Sequence, residues 1–417
     1  MTTDIILQDL QYFYPEITLT VTILAVIFAE LLTKRNKIII PAISIAGLLV
    51  SMIFSIQLYG TSERFIFSGM MVIDSYGAFY RILFAIATSI IVILSYNTFK
   101  RSGEYYALLL SAVLGMNLMA SSTHIVMIVI ALEVVGISCY VLAGFRRFEL
   151  RSSEAALKYM LYGAMSTGIM LYGFSFLYGM TGEVNIYAMR SAIPTSGSID
   201  NLMLFVSVLF VMAGIGYKIA MVPFHFWCPD VYEGSPTPVT TFFSVVPKVA
   251  GIALMGRFLF GGLAEQLGTD IEKWFTVGYI DLPFLIAVLS AITMTLGNLA
   301  ALAQKNIKRM LAYSSIAHAG YLLMGFTMFT GQGLKAIMLY VIVYMFMNFG
   351  AFIVVDAIAS KIKSENIKDY VGLGARAPFL SAAMVVFLLS LTGVPPTAGF
   401  IGKIMIFGAV VNAKLWW

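Results

Sequence analysis

"HFWCPDVYEGSPTPVT" occupies residues 225–240 and holds aromatic residues, two acids and three prolines. Long apolar stretches flank it on both sides. Proline lacks an N–H and clashes with the preceding helical turn, so Pro223, Pro229, Pro236 and Pro238 cannot all sit in one regular span. The spacing predicts a helix ending near Pro223, a short piece through Trp227 to Tyr232, and a new helix from about Thr237. Lipid offers irregular backbone no hydrogen-bond partners, so such a break survives at membrane depth only inside protein or beside a wet cavity.

The rest of the chain shows why a membrane is the expected solvent. Of 417 residues, 60% are hydrophobic and only 11% charged, with a mean hydropathy of +0.91. That much apolar surface cannot be hidden in water. Apolar runs of spanning length fall at 17–33, 38–58, 76–96, 105–122, 124–144, 154–180, 202–222, 237–260, 283–303, 310–330, 335–358 and 379–412. The last is too long for one straight helix and contains "TGVPPTAG", with Pro395 and Pro396. The start, "MTTDIILQDL", lacks a basic segment, so no cleavable signal peptide is expected.

Loop charge predicts orientation. Alternate connections hold Lys34, Arg35, Lys37, Lys100, Arg101, Arg146, Arg147, Arg151, Lys305, Lys308, Arg309, Lys361, Lys363, Lys368 and Arg376. The other connections hold only Arg64, Arg190, Lys273 and Lys335. The positive-inside rule puts the first set in the cytoplasm and the N-terminus outside. This bias accounts for the net charge of +5, and nucleic-acid binding is not expected. Arg64 and Asp74 flank the third span and are read as interfacial.

An internal repeat follows. "ISCYVLAGF" (137–145) resembles "HAGYLLMGF" (318–326), "LKYMLY" (157–162) resembles "LKAIMLY" (334–340), and "MVPFHFW" (221–227) is followed in kind by "GVPPTAG" (393–399). The order is the same each time. It implies two related units of about five spans, and an odd number inverts the second relative to the first. Inverted repeats with broken helices near the midplane mark transporters.

Charges inside the spans give candidate chemistry. Glu133 lies mid-span in "VIALEVVGIS", Lys218 just before the first break, Lys248 directly after Pro247, and Lys403 after the second break. Lys158 lies near the start of its span and could reach the interface by snorkelling. His318 lies deeper in its own. A charge at the bilayer centre costs about 2.5–3.5 kcal/mol on insertion scales, so these residues need partners, water or a function. Desolvation favours a neutral lysine and a nearby carboxylate restores the charge, while histidine titrates near neutrality. Lys, His and Glu joined by water make a proton relay. Metal transport would want clustered carboxylates or thiolates. Cys139, Cys228, His124 and His225 add no metal or disulfide pattern. "GLGARA" (372–377) fits a dinucleotide-loop spacing, but no buried strand precedes it. No haem or iron–sulfur spacing occurs, so no redox chemistry is expected of this chain.

Together, "ALEVVGISCYVLAGFRR", "SSEAALKYMLYGA", "KIAMVPFHFWCPDVYEGSPTPVTTFFSVVPKVAG", "QKNIKRMLAYSSIAHAGY" and "LTGVPPTAGFIGK" resemble the antiporter-like subunit N of bacterial NADH:quinone oxidoreductase, respiratory complex I. Subunits L and M and the Mrp-type antiporters share that fold, but "PDVYEGSPTPVT" looks like subunit N. The resemblance implies an all-α polytopic transmembrane helix bundle with two inverted five-helix repeats and two broken helices. It divides the chain into 1–103 (helices one to three), 104–262 (first repeat, broken near 223–236) and 283–417 (second repeat, broken near 393–399). The family has fourteen helices; this sequence stops at "VVNAKLWW", inside or just after the twelfth span, so the last two are expected to be missing. The resemblance makes Glu133 the helix-five glutamate paired with the helix-seven lysine, Lys218, and makes Lys248 and Lys403 the helix-eight and helix-twelve lysines. Lys158 and His318 become further polar residues of the central axis. It also implies proton translocation without a cofactor in this chain, with NADH or another donor and quinone used by other subunits. The implied partners are a sister antiporter-like subunit and small membrane subunits in the bacterial inner membrane. A free-standing cation/proton antiporter and a non-conducting scaffold are the alternatives.

Overall fold

A computed structural model describes residues 3–32, 38–99, 102–193, 201–266, 274–276 and 281–415, with backbone alone at 3–6. Lys34, Arg35, Lys37, Lys100, Arg101 and Lys273 of the charge pattern lie outside the described residues.

A short helix α1 (Thr3–Gln11) leads into α2 (Tyr14–Leu32) and α3 (Ile39–Gln57). A hairpin, β1 (Arg64–Ile66) and β2 (Met71–Ile73), pairs Arg64 with Ile73 and Ile66 with Met71. Then follow α4 (Ser75–Ser95), α5 (Gly103–Ser121), α6 (Ile125–Ala143), α7 (Leu150–Thr181), the short α8 (Ile186–Ala192), α9 (Asn201–Ile219), α10 (Trp227–Gly234) and α11 (Thr237–Gly256). Helix α11 runs on as a π-helix over Arg257–Gly262. Two short strands, β3 (Ala264–Glu265) and β4 (Phe275–Thr276), precede α12 (Leu282–Leu302), α13 (Ile307–Met324), α14 (Gly331–Ile362), the single turn α15 (Leu373–Arg376), α16 (Pro378–Thr392) and α17 (Ala398–Asn412). Among the described residues, nine helices are long and apolar enough to cross a membrane. Helices α5, α13 and the α16–α17 pair occupy the other three apolar runs.

Both expected breaks are present. Helix α9 stops at Ile219, a turn earlier than Pro223 alone suggests, and α10 restarts at Trp227. Ala220 takes a positive φ of 60° there. The long run at 379–412 resolves into α16 and α17, with Gly393 at φ +85° ending the first piece.

The inversion of the two units is visible in the backbone. Helices α7 and α14 are both 32 residues long, about 48 Å at 1.5 Å per residue. At the far end of α7, Ile125 N donates to Val184 O and Ile186 N to Thr123 O, a bridge between His124 and Asn185. At the far end of α14, Ile307 N donates to Glu365 O and Ile367 N to Lys305 O, a bridge between Asn306 and Asn366. The second bridge lies among Arg146, Arg151 and Lys363, beside the start of α7. The first lies a full helix length away. Equivalent bridges therefore sit at opposite faces of the bundle.

Tight helix pairs use small residues, as packing in lipid requires. A Cβ on Gly173 of α7 would lie 2.7 Å from Ser207 O, and one on Gly297 of α12 would lie 2.6 Å from Ala317 N. Helix α11 is buried on every side and forms the centre of the bundle.

Candidate functional site

Pro247 organises the middle of α11. It has no N–H for the Phe243 carbonyl, and the Tyr232 hydroxyl donates to that oxygen instead at 3.0 Å. One residue on, the Tyr344 hydroxyl donates to Ser244 O at 2.8 Å. Lys248 follows, 3% exposed. Its Nζ donates to Ser315 Oγ at 2.6 Å and approaches Cys228 Sγ at 3.5 Å, 5.4 Å from the Tyr232 ring.

The first break holds Lys218, 1% exposed in the last turn of α9. The Trp227 indole donates to Tyr217 O at 3.0 Å, which fixes the start of α10 against the end of α9. Lys218 Nζ lies 5.9 Å from the Tyr159 ring, and that ring stacks on Trp227 at 4.4 Å. Cys228 is the next residue, so aromatic contacts join the surroundings of Lys218 to those of Lys248.

On α13, His318 lies one turn beyond Ser315 and is 2% exposed. Its Nδ1 is 2.6 Å from the Tyr340 hydroxyl, and its ring packs 5.6 Å from Tyr321. Lys403 Nζ sits over Tyr321 at 4.5 Å and donates to Leu391 O at 3.0 Å and Thr392 O at 2.9 Å. It therefore caps the carbonyl end of α16, where the helix dipole favours a cation. Lys218, Lys248, His318 and Lys403 thus form one series running across both units.

The other two candidates lie apart from it. Glu133 is half-buried on α6, within electrostatic reach of Lys218. Among the described residues the two make no ion pair, so the expected direct Glu133–Lys218 contact is absent. Lys158 turns away from the buried series. It pairs with Glu154 at 2.6 Å and Asp230 at 2.7 Å, and Asp230 also takes Arg309 at 2.6 Å. Arg309 reaches Glu233 at 2.9 Å, and Lys308 reaches Glu365 at 3.0 Å. Glu154, Lys158, Asp230, Glu233 and Arg309 wall a cavity of about 290 Å³ at the basic face. Pro223 lies in the first break, and Pro395 and Pro396 lie in the second.

Sequence reasoning missed the partners. Ser315 had a signal, one turn from His318, and so did Tyr340, inside the repeated "LKAIMLY". Tyr159 and Tyr321 had the same signal, inside the repeated "LKYMLY" and "HAGYLLMGF", whereas Cys228 had none beyond its polarity. Asp74, read as interfacial, also binds Arg257 through two contacts, Nη1–Oδ2 at 2.5 Å and Nη2–Oδ1 at 2.8 Å, a partner the sequence did not show. Burial acts to raise Asp74, but the Arg257 guanidinium outweighs it and holds the carboxyl below its ordinary value. Arg64 instead donates to the Tyr12 hydroxyl at 3.2 Å and lies 3.9 Å from Asp9. The reason is that α11 extends as a π-helix far enough to present Arg257 at the N-cap of α4.

Residues 122–417 match the family described as NADH:quinone oxidoreductase/Mrp antiporter, TM. The chain belongs to this family of antiporter-like membrane subunits. It is 44% identical over 414 residues to NADH-quinone oxidoreductase subunit N of Chlorobium chlorochromatii, covering 96% of this chain and 78% of that one. It is 41% identical over 417 residues to subunit N of an Anaeromyxobacter species, covering 97% and 80%. In structure it is similar to a chain of respiratory complex I from Thermus thermophilus, with a TM-score of 0.78 and 32% identity over 96% of this chain and 84% of that one. The fold also recurs in an archaeal membrane-bound sulfane sulfur reductase, with a TM-score of 0.83 and 22% identity, covering 96% and 82%. Within the family, then, subunit N of the quinone oxidoreductase is what this chain aligns with from end to end, and it is a multi-pass subunit of a membrane complex.

Proposed function

We propose that the chain is the proton-translocating, antiporter-like subunit N of a bacterial NADH:quinone oxidoreductase, acting as a non-redox part of that translocase. The observation that carries this reading is the buried series Lys218, Lys248, His318 and Lys403, linked through Tyr159, Cys228, Ser315 and Tyr340. Lysine suits the task because its proton is labile once desolvated. As Lys248 gives a proton to Ser315 Oγ, Ser315 releases its own hydroxyl proton, now donated to Ala312 O at 2.7 Å, toward His318, so the serine ends neutral. His318 and Tyr340 carry it to the second break, where Lys403 holds it. Glu133 sets the charge balance around Lys218 from α6. Lys158, with Asp230 and Arg309, stands at the basic face, where protons enter.

In this reading NADH, or another donor, and quinone are used by other subunits. The partners are a sister antiporter-like subunit and small membrane subunits. The membrane is the bacterial cytoplasmic membrane, with the basic face inside and the N-terminus outside. A free-standing antiporter is not favoured, since the aligned relatives are named as oxidoreductase subunits, and a non-conducting scaffold subunit of the complex would have no use for the buried series of charges.

The test is proton uptake into inverted membrane vesicles driven by the complex's own donor. Lys248→Ala and Glu133→Ala should assemble but pump less. Normal pumping by both, with subunit content unchanged, would overturn the reading.

A further inference from the structure

A second pair of buried charges lies outside both repeated units. Glu16 stands in the first turn of α2 and Arg81 in the second turn of α4. Arg81 Nη2 is 2.8 Å from Glu16 Oε1, and both side chains are fully shielded. Yet the two groups are misaligned. Neither Glu16 oxygen and none of the three Arg81 guanidinium nitrogens makes a well-formed hydrogen bond. The Tyr80 hydroxyl, on the residue before Arg81, is also unpartnered.

The same molecule shows what an ion pair built for strength looks like. Arg257 grips Asp74 with two parallel contacts, donates to Ala120 O at 3.2 and 2.9 Å, and approaches the Tyr187 hydroxyl at 3.4 Å. Its donors are used. Those of Arg81 are not, although a guanidinium has five N–H groups to place. Buried charges left in that condition are costly. Internal water, which typically makes about three hydrogen bonds to such groups, is the usual remedy.

Access comes from the outer side. Asp74 lies within electrostatic reach of Arg81. With Arg257, Glu63 and Glu265 it lines a cavity of about 550 Å³ at that face. The Glu16–Arg81 pair is therefore coupled through Asp74 to a vestibule that carries charged groups.

We propose that Glu16 and Arg81 form a hydrated proton-holding site in the N-terminal helices, exchanging protons with the outer vestibule. The carboxylate of Glu16 takes a proton from hydronium, giving the neutral acid and a water molecule. Arg81 keeps its charge throughout, since a guanidinium does not deprotonate in proteins. The site then carries one positive charge until the proton returns to water. This rests on the translocation reading above.

Two measurements on the assembled complex test it. A high-resolution cryo-electron-microscopy map should show ordered water within hydrogen-bond reach of Glu16 and Arg81; a dry pair overturns the proposal. The second uses the double variant Glu16→Leu with Arg81→Leu, which removes both charges and leaves neither unpaired. It should keep donor-driven quinone reduction but lower the ratio of protons moved to quinone reduced. A parental ratio in an assembled double variant overturns the proposal, and if the variant does not assemble the map decides. Lys248→Ala run in parallel separates the two readings. If it pumps normally the translocation reading fails; if it alone loses pumping, only the Glu16–Arg81 site fails.

Discussion

Lys403 offers a way to tell a moving proton from a fixed charge. Its ammonium group donates to the carbonyls of Leu391 and Thr392 at 3.0 and 2.9 Å. These are the last residues of α16, where the backbone turns at Gly393. Replacing the side chain with alanine deletes two hydrogen bonds to a charged group, each contributing about 1.5–3 kcal/mol. Thr392 is exposed and can recover water, so the lower end applies to its bond. The helix-dipole contribution adds about 0.3–1 kcal/mol. Lys403→Ala should therefore loosen the second break by about 3–5.5 kcal/mol, summed from those contributions. Lys403→Arg can keep both carbonyl contacts and the stacking on Tyr321, so the complex should melt close to the parent. Its proton, however, is never released. Proton uptake into inverted vesicles should be impaired nearly as much by the arginine as by the alanine, with only the alanine variant melting lower. If the arginine variant pumps like the parent while the alanine variant does not, Lys403 is a static cap and release occurs elsewhere.

Two further perturbations address the frame around the site. Gly399→Ala would drive its Cβ into the Ser390 carbonyl oxygen, with Met347 Sδ 2.8 Å away. Overpacking of this kind is destabilising, so subunit content on blots should fall sharply, and a stably assembled variant would refute the close approach of α17 to α16. Asp74 supplies a pH dependence. Its folded-state carboxyl is held below the ordinary value by Arg257, so its stabilisation is fully present above about 3.9, the unperturbed aspartate value, and is lost as pH falls below that. Melting of the purified complex should show an acid limb that Asp74→Asn lowers and flattens; identical limbs in parent and variant would count against the clamp.

The architecture was legible in the sequence to the extent that lipid imposes it. Every apolar run became a helix, because a backbone in hydrocarbon must satisfy its own hydrogen bonds. The breaks were legible because Pro223, Pro395 and Pro396 forbid continuity. The repeat was only partly legible. Its side-chain matches are short and local, whereas its strongest marks are the two 32-residue helices and the backbone bridges His124–Asn185 and Asn306–Asn366. Backbone pairing constrains side chains weakly, so histidine and asparagine can hold equivalent places. The premature end of α9 at Ile219 was not legible either. It depends on the Trp227 indole reaching back to Tyr217 O, a contact that exists only once α10 has docked.

The site divides along the same line. That Lys218, Lys248, His318 and Lys403 carry unusual cost was plain from their depth in apolar runs. What each one touches was not, because the partners come from other helices: Ser315 from α13, Tyr340 from α14, and Leu391 and Thr392 from α16. Lys158 shows the limit most directly. It is the immediate neighbour of Tyr159, whose ring faces Lys218, yet about 100° of helical rotation per residue sends its own side chain to Asp230 and Glu154. Pro247 shows the opposite case. In the sequence it marks only the position just before Lys248. By withholding one N–H it frees the Phe243 carbonyl for Tyr232, and Tyr232 then stands 5.4 Å from the Lys248 ammonium. The residue that disturbs the helix is therefore also the one that places an aromatic wall beside its charge, which is why a proline and a lysine sit next to each other at the centre of the bundle.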